Sequence, residues 1–158
     1  MVQTRASMVS WSVFERLVAE LRPRLARAFV AAYGVERGQE ALAEALAYAR
    51  EHAAAVSAMD NPAGYLFRVG QSRTRPRRAP VVYPAPADVS VPWVEPGLPA
   101  ALAQLTEHQR VAVVLVRGYG WTQREVGEML GVAATTVQNH VERGLAHLRR
   151  HMEVSSDA

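Results

Sequence analysis

A cluster of prolines divides this 158-residue chain into two parts. Six of its nine prolines fall between Pro80 and Pro99, in a stretch that has no helical periodicity and few charged residues. Proline fixes φ and removes a backbone donor, so this stretch favours extended polyproline geometry of about 3 Å per residue. The predicted division is a first module of residues 10–78, a Pro-rich linker of residues 79–97 and a second module of residues 98–152.

Composition excludes several classes of protein. The chain has no cysteine, which excludes disulfides, cysteine-based zinc sites and thiol nucleophiles. All eighteen basic residues are arginine, so a phosphate-loop lysine is absent, and no catalytic motif is present. We therefore predict a protein that is not an enzyme and that needs no metal or other cofactor. The longest apolar run, Val111 to Val116, is far shorter than the roughly twenty residues of a membrane helix, so we expect a cytoplasmic protein without a membrane partner.

Apolar residues in the first module recur at steps of three and four, the spacing of one face of a helix. They predict a helix over residues 13–33 and a second helix over residues 36–58 that folds back antiparallel on the first. Asn61 followed by Pro62 is typical of a helix start, and Pro76 ends the third helix that begins there.

The second module contains two capping boxes. Thr106 with Gln109 and Thr122 with Glu125 each pair a capping hydroxyl with a side chain three residues later. Gly131 then supplies a tight turn between two short helical patterns, which is the arrangement of a helix-turn-helix. The predicted fold class is therefore all-α. The apolar seam of the last helix consists of Val137, Val141, Leu145 and Leu148.

The face of the last helix opposite that seam carries residues that suit the major groove of DNA. Asparagine pairs bidentately with adenine, arginine with guanine, and threonine contacts a thymine methyl group. A solvated polar face without a ligand is the alternative interpretation. The predicted DNA-binding residues of the second module are Thr122, Gln123, Thr135, Thr136, Asn139, Arg143, Arg149 and Arg150.

Two charged segments in the first module are further candidates. Glu36, Glu40, Glu44 and Glu51 share one side of the second helix, although like charges four residues apart cost a few tenths of a kcal/mol per pair. An arginine run beside aromatic rings suits a nucleic-acid strand, because the rings can stack on its bases and the guanidinium groups can neutralise its phosphates. Plain solvated segments are the alternative in both cases. The predicted strand-binding residues are Tyr65, Phe67, Arg68, Arg73, Arg75, Arg77 and Arg78.

Several of these motifs resemble a known family. Leu105-Thr-Glu-His-Gln-Arg110 and Gly120-Trp-Thr-Gln-Arg-Glu-Val-Gly-Glu-Met-Leu-Gly-Val132 are similar to the region 4 helix-turn-helix of bacterial extracytoplasmic-function (ECF) sigma factors. Asp60-Asn-Pro-Ala-Gly-Tyr-Leu-Phe-Arg-Val-Gly70 resembles their region 2. The resemblance covers about residues 14–152. It departs from the family pattern at Pro76 and Pro80, which shorten the helix that melts the promoter.

The resemblance implies a subunit that binds core RNA polymerase and promoter DNA, with an anti-sigma factor as a further partner. Region 4 would read the upstream promoter element and region 2 would open the downstream element. The acidic residues of the second helix would face a coiled coil of the largest polymerase subunit. Two other functions stay open: a helix-turn-helix regulator that binds DNA without polymerase, and an adaptor that binds other proteins.

Overall fold

The computed structural model describes residues 2–74 and 97–156, with the side chains of residues 11–74 and 97–154. Every element of these residues is a helix, so the predicted all-α fold is confirmed. The linker of residues 79–97, apart from its last residue, lies outside the described residues, as do Arg75, Arg77 and Arg78. The first module contains helices α1 (Val2–Tyr33), α2 (Val35–Glu51), α3 (Ala53–Ser57) and α4 (Pro62–Thr74).

Two boundaries in the first module differ from the prediction. Helix α1 begins at Val2 and not near residue 13. The predicted second helix is interrupted at His52, where φ is −118° and ψ is 34°. The imidazole Nδ1 of His52 lies 3.0 Å from the carbonyl oxygen of Tyr48, the same oxygen that accepts the backbone N–H of His52. This local bond of the side chain accompanies the break between α2 and α3.

Glycines allow the helices of the first module to approach closely. Gly34 ends α1 with φ at 81°, a conformation that favours glycine. Gly70 of α4 faces the ring of Phe29, and a Cβ atom there would lie 2.3 Å from its Cζ atom. Phe29 in turn stacks on Phe67 with ring centroids 4.9 Å apart. These contacts place α4 across the α1–α2 hairpin and close its core.

The second module forms the predicted helix-turn-helix. Both capping boxes are present, at Thr106 with Gln109 and at Thr122 with Glu125. Gly131 has φ at 71° and makes the turn between the last two helices. The elements are α5 (Leu98–Gln104), α6 (Glu107–Val113), a π-helical turn (Val114–Gly118), α7 (Gln123–Leu130) and α8 (Ala134–Ser156).

The two modules share one hydrophobic core. Phe29 and Leu66 of the first module belong to the same cluster of buried residues as Val111, Leu115 and Met129 of the second. Helix α1 packs against α6, and α4 packs against α7. The sequence predicts two modules joined by a linker, and in the structure these two parts of the chain are in direct contact.

A buried arginine joins the modules. Arg110 of α6 is 5% exposed, and its guanidinium group donates only to backbone carbonyl oxygens. Nε and Nη2 reach Ala31 at 3.1 Å and Ala32 at 2.6 Å, near the end of α1, and Nη1 reaches Leu105 at 2.9 Å, after the end of α5. The last carbonyls of a helix lack partners within the helix and carry partial negative charge. One planar cation therefore satisfies the ends of two helices from different modules.

Arg110→Lys should lower the free energy of unfolding by about 2–4 kcal/mol, because a single ammonium group cannot reach both sets of carbonyl oxygens. Urea unfolding of the full chain measures this loss. Arg117→Lys, at an exposed position of the π-helical turn, is the matched control and should change stability by about 0.5 kcal/mol or less. Equal effects of the two substitutions would contradict the role assigned to Arg110.

Candidate nucleic-acid interface

Burial along α8 fixes which side of the helix faces solvent. Val137 and Val141 are buried against the rest of the second module. Gly144 lies so close to α6 that a Cβ atom there would be 2.6 Å from a methyl carbon of Val113. The opposite side of α8 is therefore presented to solvent. Its exposed residues are Thr135, Asn139, Arg143, Arg149 and Arg150, with Thr136 half-buried.

The start of α7 is held rigidly by its capping box. The hydroxyl of Thr122 accepts the backbone N–H of Glu125 at 3.1 Å, and the Glu125 carboxylate accepts the backbone N–H of Thr122 at 2.8 Å. The Thr122 hydroxyl is therefore engaged in the cap. Gln123, the other predicted DNA contact here, is half-buried at the first position of the helix.

The same hydrogen bonds act on the Glu125 carboxyl group. The backbone N–H of Thr122, and then its hydroxyl, hold the pKa of Glu125 below its usual range. A carboxyl whose pKa is lowered by folding stabilises the folded state above its ordinary pKa, and this contribution disappears as the pH falls through the folded-state pKa. The ionised form of Glu125 therefore stabilises the capping box at the start of α7.

A histidine pair lies between α6 and α8. The rings of His108 and His140 meet edge to face with centroids 5.5 Å apart. Burial, followed by the nearby His108 and Arg143, lowers the pKa of His140. Because the folded state disfavours the protonated His140 ring, the stability that this shift provides is lost as the pH falls from the ordinary histidine pKa through the lowered one. His140 stands on the flank of the exposed face, beside Asn139.

The predicted arginine run of the first module is engaged in part with the protein itself. Arg68 is exposed on α4. Arg73 is also exposed, but its Nη1 lies 2.8 Å from Oε2 of Glu44, and its guanidinium group sits 5.7 Å from the ring centroid of Tyr48. The hydrogen bond with Glu44 raises the pKa of Arg73. Arg73 therefore links α4 to the acidic side of α2, a contact that the sequence did not predict.

The two aromatic candidates of α4 lie in different environments. Tyr65 is half-buried, and its hydroxyl lies 2.9 Å from the hydroxyl of Tyr48, a residue that the sequence interpretation had not singled out. Phe67 is 1% exposed and stacks in the core on Phe29. The prediction that Phe67 stacks on a nucleic-acid base is therefore wrong in this packing. Its position on α4 points it inward with Leu66.

The acidic residues of α2 lie on its solvent side. Ala41, Ala45 and Ala49 are fully buried, which orients the rest of the helix outward. Glu44 is the member of the group that pairs with Arg73. The four glutamates Glu36, Glu40, Glu44 and Glu51 are all exposed.

Within residues 2–74 and 97–156, no group of three or more histidine, cysteine, aspartate or glutamate side chains could hold a metal ion. None of the helices in those ranges is long and apolar enough to cross a membrane.

Comparison with known proteins agrees with the motifs of the second module. Residues 97–148 match the family "Sigma-70, region 4". No curated protein sequence matches the chain. A search of solved structures finds the sigma factor RpoE of Bartonella quintana, crystallised in complex with the anti-sigma factor NepR. It matches 89% of this chain and 97% of its own with a TM-score of 0.61 and 18% sequence identity, which establishes likeness of fold. Residues 97–148 are therefore similar to the family "Sigma-70, region 4", in a chain whose fold resembles that of the RpoE structure.

Proposed function

We propose that this protein is an ECF-type sigma factor that binds core RNA polymerase and directs it to promoters. The observation that carries this proposal is the exposed face of α8 inside the region 4 match. The sigma-factor fold over most of the chain supports the same function.

The second module reads the upstream promoter element with α8 in the major groove. Asn139 and Arg143 are one turn apart on the exposed face, and both side chains can make bidentate hydrogen bonds to base edges. Arg149 and Arg150 lie towards the end of the helix, where contact with phosphates is favoured. Thr135 and Thr136, at the start of α8, complete the reading face with Gln123 of α7.

The exposed glutamates of α2 face core polymerase. Like charges on one side of a helix oppose helix formation slightly, so a basic partner surface would offset that cost. Charge pairs at the rim of an interface serve mainly orientation and rate of encounter. Glu44 is shared in this scheme, because it also holds Arg73 against α2.

The first module contacts the DNA backbone near the opened element. Arg68 is exposed for this role, and Arg75, Arg77 and Arg78 follow it in the sequence without an intervening acidic residue. Arg73 would contact the DNA backbone only after its ion pair with Glu44 breaks. Tyr65 supplies a half-buried ring beside the same surface.

An anti-sigma factor is proposed as a regulatory partner. The RpoE protein of similar fold was solved with the anti-sigma factor NepR, so this fold has a surface that accepts such a protein. The chain would meet polymerase, promoter and this partner in the cytoplasm.

A polymerase-independent DNA-binding regulator is the second candidate function. The observation that favours it is the exposure of Asn139 and Arg143 while the two modules are packed together. In that state α8 can approach DNA without any change in the rest of the chain. A test of whether the chain binds core polymerase distinguishes the two candidate functions.

Asn139→Ala or Arg143→Ala should cost about 1–3 kcal/mol of binding to the preferred DNA site and relax the preference at one or two base pairs. Arg150→Ala, the matched control, should weaken binding to preferred and scrambled DNA alike, because phosphate contacts carry no sequence information. Sequence selection from a random DNA library by each variant measures both effects. Unchanged base preferences in the first two variants would mean that α8 does not read the major groove.

Replacing Glu36 and Glu40 together with glutamine should weaken binding to core polymerase roughly tenfold at low salt, with helix content unchanged or higher. Glu44 is kept, so that its bond with Arg73 remains. The control replaces the exposed Glu20 and Glu153 with glutamine, which changes the net charge equally. Co-purification with core polymerase at several salt concentrations tests the prediction. Equal affinity of the variant and its control would exclude this face as the polymerase contact.

A further inference from the structure

A pair of histidines lies where α6 meets the flank of α8. The rings of His108 and His140 meet edge to face with centroids 5.5 Å apart, and both residues are half-buried. His140 directly follows Asn139, which places it about 100° around the helix from that residue, between the exposed face and the buried seam. The histidine pair, meaning His108 with His140, therefore stands at the edge of the proposed DNA-reading face.

Close packing of α6 on α8 holds the two rings in place. Gly144, one turn after His140, lies against α6, and a Cβ atom there would be 3.6 Å from the Cβ atom of Gln109, the residue next to His108. The contact that packs the helices thus also positions the rings. Because both histidines keep part of their surface in solvent, a ligand can reach them from outside.

The charged groups around the histidine pair were followed through every helix that packs on α8. Helix α5 contains no titratable residue, and Arg110 of α6 is buried and directed at α1. The charged or titratable groups that act on His140 are His108 and Arg143, and both oppose its protonation. The nearby glutamates of α6, α7 and α8 bond to other groups: Glu107 to Gln71, Glu125 to Thr122, Glu128 to Arg124 and Glu142 to Gln138. Within residues 11–74 and 97–154, neither ring of the pair is bonded to a carboxylate.

The flank of a helix in the major groove lies near DNA phosphates. A helix with its side chains is about 10–12 Å across, and the major groove is about 12 Å wide. Residues to the side of the base-reading face therefore approach the backbone. Further along the same side of α8, His147, Arg150 and His151 border one open depression, so basic side chains continue beyond the pair.

A phosphate beside the histidine pair would reverse the balance of charge there. Burial, followed by His108 and Arg143, lowers the pKa of His140, so the free chain disfavours the charged ring. A neighbouring anion favours the protonated form of histidine. DNA-bound chain would then hold more protons than free chain, and by linkage its affinity for DNA would rise as the pH falls.

We propose that the histidine pair is a proton-dependent binding site for a DNA backbone phosphate, which strengthens the binding of α8 to DNA of any sequence as the pH falls from about 8 to about 6. The proposal rests on the proposed function in one respect, namely that α8 lies in the major groove. It adds a contact whose strength depends on pH and not on base sequence.

Replacing His108 and His140 together with glutamine is the selective change. Glutamine cannot gain a charge in this pH range, and its helix propensity is at least that of histidine. His52→Gln is the matched control, because His52 is an exposed histidine of the first module. Groups that titrate elsewhere in the chain contribute equally to the parent, the double variant and the control.

Binding to a random-sequence duplex of about 30 base pairs, roughly three helical turns, is the direct measurement. We expect the parent to bind on the order of tenfold more tightly at pH 6 than at pH 8, since one pKa unit gained on binding corresponds to tenfold in affinity. The slope of log affinity against log salt should be steeper by about 1 at pH 6, from one added phosphate contact. The double variant should match the parent at pH 8 and lose both differences, whereas His52→Gln should behave as the parent does.

The pKa of His140, followed by nuclear magnetic resonance with and without the duplex, should rise on binding. Far-ultraviolet circular dichroism at both pH values checks that the double variant keeps its helix content. Equal pH dependence in the parent and the double variant would overturn the proposal, as would a His140 pKa that the duplex leaves unchanged. Those results leave the base-reading role of Asn139 and Arg143 standing. If the parent does not bind the duplex at either pH, DNA binding by α8 fails and this proposal fails with it.

Discussion

The buried guanidinium group of Arg110 is the interaction on which the arrangement of the two modules depends. The carbonyl oxygens of Ala31, Ala32 and Leu105 lie at or near helix ends, and all three accept hydrogen bonds from this one group. Burying them without partners would cost about 1–3 kcal/mol each. A planar cation with five N–H donors can satisfy all of them from one position, which an ammonium group cannot. Arg110 thus gives hydrogen-bond partners to carbonyl oxygens that the packing of α6 on α1 buries.

Local signals in the sequence predict the helix-turn-helix and the starts of several helices, although not the start of α1 or the break at His52. The capping boxes at Thr106 and Thr122, the cap at Asn61 and the turn at Gly131 involve residues close together in the chain, so their pattern is visible without a structure. The contacts of Arg110 with α1 connect residues far apart in the sequence and use backbone oxygens, which every residue has. Such contacts leave no sequence pattern, and for this reason the packing of the modules was not predicted.

The same distinction between local and long-range contacts applies to the candidate site. The exposure of Asn139 and Arg143 followed from periodicity, because the buried seam of α8 determines its opposite face. The prediction for Phe67 is wrong because the ring that covers it, Phe29, comes from another helix. The prediction for Arg73 is incomplete because its partner Glu44 also comes from another helix. A periodic pattern identifies which side of a helix is buried, but it does not identify the residues of a second helix that cover or pair with a given side chain.

Transcription by purified components tests the proposed function most directly. DNA sites selected by the full chain would be placed upstream of a reporter of defined length and given to core polymerase with and without the chain. A sigma factor predicts run-off transcripts of one length only when both proteins are present, and their loss when the selected site is scrambled. If the chain occupies its site while core polymerase yields the same products with and without it, the protein is a DNA-binding regulator and not a sigma factor.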